Sequence, residues 1–476
     1  MCPAIATRDL HMIADEGADT LESVLDKARR AQAEYEANGS QKRYDRAAQA
    51  VGWAIMDPAR NRELAELAVT TTGLGNVADK ITKNHRKTLG LMRDIRDAQT
   101  FGVISDDPDT GITEIARAMG VIGAIVPSTN PAATPANNII NAVKCGNAVV
   151  VAPSPKGVET CARLLSFIYT EFDRIGENRD LVQMLPAPGS KAKTQYLMEN
   201  CDLIIATGSQ NNVHRAQTAG TPAVAVGAGN VAVIVDETAD LDAAAEKIRA
   251  SKTFDNATSC SSENAVVVVD SVFDAFVAAM ANHGGHVVAD EAHIVEKLWP
   301  GGHLNRAVIA QDADKMIAAL EVDAPAGTEF IAVPTQGIGP AHPLSGEKLS
   351  RVIALYRAPS FADAVKTTAA LQKYQGAGHS VGLHTQDQTR PAVLAYAVPT
   401  SRVIVNQPHT FATGGSFTNG MPFSLSMGCG TWGGNSVNQN VHWRQYIQST
   451  KIIREIPARE PSVEEIFSDY WQAAGS

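Results

Sequence analysis

The sequence predicts an α/β protein made of two units, each a parallel sheet covered by helices. Three observations predict it. Short apolar runs at 121–126, 149–152, 203–206 and 231–235 alternate with helical patterns, as expected of parallel strands buried on both faces. A second series of such runs follows at 352–355, 380–384 and 402–405. The 476 residues, 44% hydrophobic and 19% charged, supply apolar mass for two or three packed units, with no internal repeat or long linker.

In chain order, Leu21, Val24, Ala28, Ala31 and Tyr35 share one helical face, and the pattern stops at Asn38-Gly39. A second helix ends before Pro58. A third, with Leu64, Leu67 and Ala68 on one face, ends at Thr72-Gly73-Leu74-Gly75. Thr134-Pro135 reads as cap and first turn of a helix bearing Ile139, Ile140 and Val143, which Gly146 closes. Cys161, Leu164, Ile168 and Phe172 mark the core stripe of the next helix. Together with the four runs from 121 to 235 these form a Rossmann-like unit, whose ligands bind at the carboxyl ends of the strands.

Two strand ends are informative. Ala206-Thr207-Gly208-Ser209 follows a strand and opens a helix, which suits a pyrophosphate at the helix N-terminus; a simple tight turn is the competing reading. Pro153-Ser154-Pro155-Lys156 has no acidic residue for an adenosine ribose 2′-hydroxyl and offers Ser154 and Lys156 instead, which favours a 2′-phosphate and so NADP over NAD. The literal G-x-G-x-x-G at Gly428-Cys429-Gly430-Thr431-Trp432-Gly433 lies outside this unit and reads as structural.

Net charge of -10, with no run of five or more Lys/Arg, argues against nucleic acid. The six cysteines (Cys2, Cys145, Cys161, Cys201, Cys260, Cys429) show neither C-x-x-C nor a nearby His pair, so no metal site or disulfide framework is expected. Arg8, Asp9, Asp15 and Glu16 interrupt the N-terminal stretch, and no run is long enough for a bilayer. The expectation is a cytoplasmic protein.

The stretch Phe254-Asp255-Asn256-Ala257-Thr258-Ser259-Cys260-Ser261-Ser262-Glu263-Asn264 runs straight into the apolar segment 265–269. A cysteine among small hydroxylated residues at the mouth of a strand is where a fold holds a thiol half exposed, as reactivity requires. A buried structural cysteine is the equal alternative on these residues alone.

Several ordered segments resemble the aldehyde dehydrogenase family, specifically its CoA-acylating branch. They are Ile125-Val126-Pro127-Ser128-Thr129-Asn130-Pro131, Ala206-Thr207-Gly208-Ser209, Val226-Gly227-Ala228-Gly229-Asn230, Cys260-Ser261-Ser262-Glu263, Glu347-Lys348-Leu349 and Gly376-Ala377-Gly378-His379-Ser380. The resemblance runs along nearly the whole chain and implies the aldehyde dehydrogenase fold. It makes Cys260 the nucleophile that adds to an aldehyde, yielding a thioester after hydride transfer to NAD(P)+. It assigns oxyanion stabilisation to the Asn130 side chain and the Cys260 N–H. It gives Glu347 the nicotinamide ribose, and it places Thr207, Gly208, Ser209 and Gly227 with the cofactor. Hydrolytic members carry Glu-Leu-Gly-Gly-Lys where this chain has 226–230 without a carboxylate, so water lacks a base and coenzyme A takes the acyl group. His379 is then the candidate to orient or deprotonate the CoA thiol, against a packed structural histidine.

The resemblance further implies that Asn406-Gln407-Pro408-His409 and the loop 414–420 sit over the substrate mouth. There Ser416, Thr418 and Asn419 would hold an anionic tail, unless the loop is only a chain reversal. The expected aldehyde is sulfoacetaldehyde first and succinate semialdehyde second, with acetaldehyde as the neutral alternative. The expected division is a cofactor domain over 1–238 with an oligomerisation hairpin near 106–117, a catalytic domain over 239–430, and a return over 431–476. A strand near 442–453 would complete a homodimer or homotetramer contact. A non-redox cysteine acyltransferase and a non-catalytic scaffold are the rival functions; Asn130, Glu347 and the 206–209 turn argue against both. Cys260→Ala is expected to abolish NAD(P)H formation while leaving cofactor binding intact, and Ala at Cys145, Cys161, Cys201 or Cys429 to leave far more activity. Retained turnover in Cys260→Ala would contradict the assignment.

Overall fold

The computed structural model describes residues 20–227 and 229–475. Residues 1–19, with Cys2 and the charged positions weighed against a leader, lie outside the described residues. Four helices open the described chain: α1 (Leu21–Ala37), α2 (Gln41–Met56), α3 (Pro58–Thr72) and α4 (Val77–Ile95). Thr20 caps α1, which buries Val24, Leu25, Ala28, Ala31 and Tyr35 as the periodicity requires. Asp57 caps α3 ahead of Pro58 in the first turn, and Gly73 ends it in the left-handed region at φ +70°. α4 is unlike the others, because its buried face carries Lys80, Lys83, Asn84 and Lys87.

The hairpin β1 (Val103–Asp107) and β2 (Ile112–Ala118) leads into the first main sheet. That sheet is parallel and contains β3 (Val121–Val126), β4 (Ala148–Pro153), β5 (Val182–Met184), β6 (Leu203–Thr207) and β7 (Ala223–Val226), in the order β5-β4-β3-β6-β7. Its connections are α5 (Ala133–Lys144), α6 (Val158–Ile175), α7 (Lys191–Asn200) and α8 (Gln210–Thr218). One apolar core joins β3, β4 and β6 to α1, α2, α5 and α6. The predicted stripe Cys161, Leu164, Ile168 and Phe172 is fully buried within it.

The second main sheet is also parallel: β8 (Val231–Val235), β9 (Glu263–Val269), β10 (Gly285–Val287), β11 (Phe330–Pro334), β12 (Val352–Ala358), β13 (Val381–His384) and β14 (Val403–Val405), in the order β10-β11-β12-β9-β8-β13-β14. Both faces are covered, with Ala265, Val267 and Val269 facing one core and Val266 and Val268 the other. α9 (Leu241–Thr253) runs from β8 to the stretch bearing Cys260. Near the C-terminus β15 (Ile447–Ile453) returns to pair antiparallel with β2.

Two details differ from the sequence expectation. β8 lies between β9 and β13 in the second sheet, so the chain changes sheet between Val226 and Val231, ahead of 238. Its run of apolar residues says that both faces are covered and does not say by which unit. α5 begins at Ala133 with Ala132 at the cap position, and the Thr134 hydroxyl is buried without a partner instead of capping.

After α9 the backbone turns sharply, and Asp255, Asn256 and Ala257 all sit in the left-handed region, at φ 48°, 54° and 60°. Non-glycine residues there cost roughly 1–2 kcal/mol each. The turn persists because its side chains are bonded from several directions. Asp255 Oδ2 accepts from Lys83 Nζ at 2.5 Å, Lys80 Nζ at 3.1 Å and Thr258 Oγ1 at 2.8 Å, while its Oδ1 accepts from the Asn76 N–H at 3.1 Å. Asn256 Oδ1 accepts from Arg351 Nε at 3.0 Å, and its Nδ2 donates to Asp312 Oδ1 at 2.9 Å. Burial alone would raise the Asp255 pKa, but the Lys83 and Lys80 charges and these bonds hold it below the ordinary carboxylate value. A depressed folded value means this stabilisation is complete above the unfolded carboxylate pKa of about 4 and is lost as pH falls through the lower folded value. Asp255→Asn is expected to destabilise the protein by about 3–5 kcal/mol near pH 7, because it strands two buried lysines without their counter-charge. Denaturant unfolding at neutral pH measures it; an unchanged midpoint would show that the turn holds without the carboxylate.

Candidate active site

Cys260 follows this turn, half-buried, just before β9. Its Sγ lies 3.3 Å from His379 Nε2. The other ring nitrogen, Nδ1, is 2.7 Å from Ser380 Oγ, which is 2.9 Å from His409 Nε2. The line Cys260–His379–Ser380–His409 therefore joins the mouth of β9 to the segment entering β13 and to the short helix His409–Thr413. Arg402 fixes it from behind, donating to His379 O and Gly428 O at 2.9 Å each and to Asn440 Oδ1 at 3.0 Å.

Burial, then the Arg402 charge, pushes the His379 pKa down to about 3, and burial with the charge of His379 and its neighbours holds His409 well below the usual histidine value. Burial, then the Glu347 charge, pushes the Cys260 thiol up to about 12. The resting pair is a neutral thiol and a neutral imidazole. Ser380 has one proton to place between two rings. If it goes to His409, His409 Nδ1 must carry a hydrogen, and that atom is buried with no acceptor. If it goes to His379 Nδ1, His409 donates through Nε2 and keeps only a bare lone pair, the cheaper deficit. The second arrangement leaves His379 Nε2–H directed at Sγ.

Asn130 lies in the loop between β3 and α5, and Lys83 Nζ donates to its Oδ1 at 3.0 Å. Lysine only donates, so it fixes the orientation of the amide and leaves the NH2 end to donate. Lys80 ties the same loop through Thr129 O at 3.0 Å. Close packing completes the floor. A Cβ on Gly229 would lie 2.1 Å from the Cys260 carbonyl oxygen and 3.2 Å from the His379 ring. Gly378, at φ +80°, passes so near Cys429 O that any side chain would collide. Gly428, too, is pressed against Val437, in keeping with the structural reading of the G-x-G-x-x-G match.

The residues expected to hold a dinucleotide lie at strand ends. Ser154 Oγ, past β4, is buried without a hydrogen-bond partner, and Lys156 is exposed beside it. Gly208 has φ +143°, and Ser209 caps α8 by accepting from Asn212 N at 3.3 Å. Thr207 Oγ1 is committed to Ser426 Oγ at 2.5 Å, and Gly227 faces the Gln210 side chain. Glu347 is raised to about 7 by burial, which outweighs the Lys252 and Lys348 charges. Among the described residues it bonds through its backbone N–H, to Gln375 Oε1 at 3.0 Å, and its carboxylate makes no hydrogen bond. An orphaned hydroxyl past β4, together with a carboxylate whose charge bears on Cys260, fits a dinucleotide.

The loop 414–420 is arranged differently from the sequence expectation. Ser416 Oγ bonds Thr418 Oγ1 at 2.9 Å, and Asn419 Nδ2 donates to Gln407 Oε1 at 3.0 Å and Ala412 O at 3.3 Å. These polar groups bond one another or the neighbouring segment 407–412. His409, expected at the mouth, is 1% exposed and lies behind His379. Lys80, Lys83, Asp255, Ser380 and Arg402 were not singled out from sequence. Lys80, Lys83, Asn84 and Lys87 share one helical face, a pattern that reads equally as a solvated face in the sequence.

The chain is similar to known proteins in both sequence and fold. The aldehyde dehydrogenase family model matches residues 1–293. The chain is 53% identical, over 97% of its length and 94% of the other, to a sulfoacetaldehyde dehydrogenase (acylating) of Cupriavidus necator. The chain belongs to the aldehyde dehydrogenase family, in its CoA-acylating branch. It is also 34% identical, over 94% of its length and 99% of the other, to a succinate-semialdehyde dehydrogenase (acetylating) of Clostridium kluyveri. Among solved structures, an acetylating aldehyde dehydrogenase of Geobacillus thermoglucosidasius superposes with a TM-score of 0.89 at 29% identity, covering 93% of this chain and 98% of that one. The two-sheet architecture is that of this aldehyde dehydrogenase branch, as the sequence reading expected.

The neutral thiol–imidazole pair makes a testable statement about this family member. Alkylation of Cys260 by iodoacetamide should climb with pH from 6 to 9 without a plateau, since thiolate forms only as pH approaches the raised value. Ser380→Ala, which frees the His379 tautomer, should slow it in the same direction as His379→Ala. A pH-independent rate below 7, followed by mass spectrometry, would reveal a thiolate–imidazolium pair instead.

Proposed function

We propose that this enzyme oxidises sulfoacetaldehyde and passes the acyl group to coenzyme A, with NADP+ as hydride acceptor. The observation that supports it most is the setting of Cys260. Gly229 is pressed against its carbonyl and Val226 is buried and apolar, so segment 226–230 brings no carboxylate to activate water. Glu347, whose charge bears on Cys260, is assigned to the nicotinamide ribose.

On this reading Cys260 Sγ attacks the aldehyde carbon as its proton leaves to solvent. His379 Nε2–H holds the developing charge on sulfur. The Asn130 NH2, oriented by Lys83, and the Cys260 N–H hold the oxyanion, each such donor being worth about 2.7–4 kcal/mol in the transition state. When bound, the nicotinamide supplies the hydride acceptor, beside Glu347. The Cys260 thioester then meets the CoA sulfur, and His379 Nε2–H stabilises the departing Cys260 thiolate. The balance is aldehyde, CoA thiol and NADP+ giving acyl-CoA, NADPH and a proton.

The choice of NADP rests on Ser154 and Lys156. The choice of sulfoacetaldehyde rests on the Cupriavidus necator relative, with succinate semialdehyde second. The proposed division follows the expected cofactor, catalytic and C-terminal return segments, shifted so that β8 belongs with the catalytic sheet. The hairpin β1–β2 with β15 is proposed as the homo-oligomer contact, because β15 is exposed nearly throughout and Ile453 is 73% exposed. Among the described residues Cys145, Cys161, Cys201, Cys260 and Cys429 are free thiols, which supports a reducing cytoplasm, and no helix is long and apolar enough to cross a membrane.

The test is kcat/KM with CoA for sulfoacetaldehyde, succinate semialdehyde, acetaldehyde and propionaldehyde, each with NADP+ and NAD+. Sulfoacetaldehyde with NADP+ should lead by at least tenfold, and Lys156→Ala should raise KM for NADP+ more than for NAD+. A neutral aldehyde in first place, or NAD+ preferred tenfold, would overturn the corresponding part.

A further inference from the structure

With Ser416 and Thr418 bonded to each other and Asn419 bonded to Gln407 and Ala412, an anionic aldehyde needs a further anchor, and α4 offers a candidate. Arg86 is half-buried, yet among the described residues it has no carboxylate partner and no hydrogen bond. It is an exception among the more buried arginines. Arg43 meets Glu177, Arg60 meets Glu171 and Arg390 meets Asp236, while Arg351 and Arg402 are spent on amide and carbonyl oxygens. Arg86 instead lies over the Phe411 ring at 4.6 Å.

That ring places it beside the chemistry. Phe411 packs on Phe254 with centroids 4.6 Å apart, and Lys83, which orients Asn130, sits 5.6 Å over Phe254. Phe411 is two residues from His409, in the same short helix that backs His379. Arg86 therefore reaches from α4, the helix whose Lys83 orients Asn130, to the short helix that backs His379.

The local charge is unbalanced as well. Lys80, Lys83, Arg86 and Lys87 come from one helix, and Asp255 is the buried carboxylate that answers two of them. Lys87 Nζ donates only to carbonyls, Gly414 O at 2.5 Å and Ser424 O at 3.1 Å, and burial with the Arg86 and Lys83 charges pushes it down to about 7. Burial also lowers the Arg86 pKa with no anion to offset it, but a guanidinium stays charged. A half-buried guanidinium without a counter-charge is a group that an incoming anion stabilises.

We propose that Arg86 is the specificity residue for the aldehyde, its guanidinium fork receiving the sulfonate oxygens while the Phe411 ring holds it in place. This rests on the reading of an anionic substrate given above. Arginine suits the task because its fork pairs two oxygens at once, and stacking on an aromatic face limits the rotamer freedom lost on binding. A CoA phosphate offers similar chemistry, so the measurement has to separate the two sources.

The experiment compares the full-length wild type with Arg86→Met and Arg86→Lys, using sulfoacetaldehyde and acetaldehyde at saturating NADP+ and varied CoA. Arg86→Met should lose at least tenfold more kcat/KM on sulfoacetaldehyde than on acetaldehyde, chiefly through KM for the aldehyde, with KM for CoA little changed. Arg86→Lys should fall between, since it keeps the charge and loses the fork; it carries the test if Arg86→Met does not fold. Equal losses on both aldehydes, or a rise confined to KM for CoA, would overturn the assignment while leaving the anionic-substrate reading standing. A wild type that prefers acetaldehyde would overturn both.

Discussion

The Asp255 carboxylate is the point on which the site depends. It is buried, it faces Lys80 and Lys83 of α4, and it belongs to a turn that three consecutive left-handed residues would otherwise disfavour. The same two lysines reach onward to Thr129 O and Asn130 Oδ1. One ion cluster therefore sets both the backbone that presents Cys260 and the orientation of the Asn130 amide, the proposed oxyanion donor. A buried charge cluster of this sort is a poor source of net stability but a strong source of geometry, because any other arrangement leaves a charge unpaired.

The electrostatics behind Cys260 follow from the same burial. Histidine is usually expected to act as a base, but a ring whose pKa is near 3 holds a second proton badly. What it offers is an N–H in a fixed tautomer, and Ser380 with His409 supplies the fixing. This suits a reaction whose charge appears on sulfur twice, at attack and at departure. It also suits an enzyme that must keep its thioester from water until a second sulfur arrives.

Much of this was legible in the sequence. Runs such as 121–126 and 231–235 read as buried parallel strands because they have no polar side, and the structure returns them as β3 and β8. Strands as short as Val182–Met184, Ala223–Val226 and Gly285–Val287 offered too few residues for any period to show. The Cys260 stretch stood out by its small hydroxylated residues, which left nucleophile and buried thiol equally open, and Asn130 entered only through the family resemblance. The groups that position them were not legible, since a lysine on a helix reads as solvated until the helix is seen to be buried on that side. The polar loop 414–420 shows the converse. Its hydroxyls and amide look free in a sequence and are bonded to one another or to nearby chain in the fold. Arg86 had no sequence signal at all; only its missing partner in three dimensions singles it out.

The central claim is that this site makes a thioester at Cys260 and reserves it for coenzyme A. It is tested most directly by mixing enzyme, sulfoacetaldehyde and NADP+ without CoA, while following NADPH absorbance and the intact mass of the chain. The account predicts a burst of about one NADPH per chain, an acyl adduct mapped to Cys260, and turnover that resumes when CoA is added. Continuous NADPH formation without CoA, accompanied by free sulfoacetate and no adduct, would contradict it.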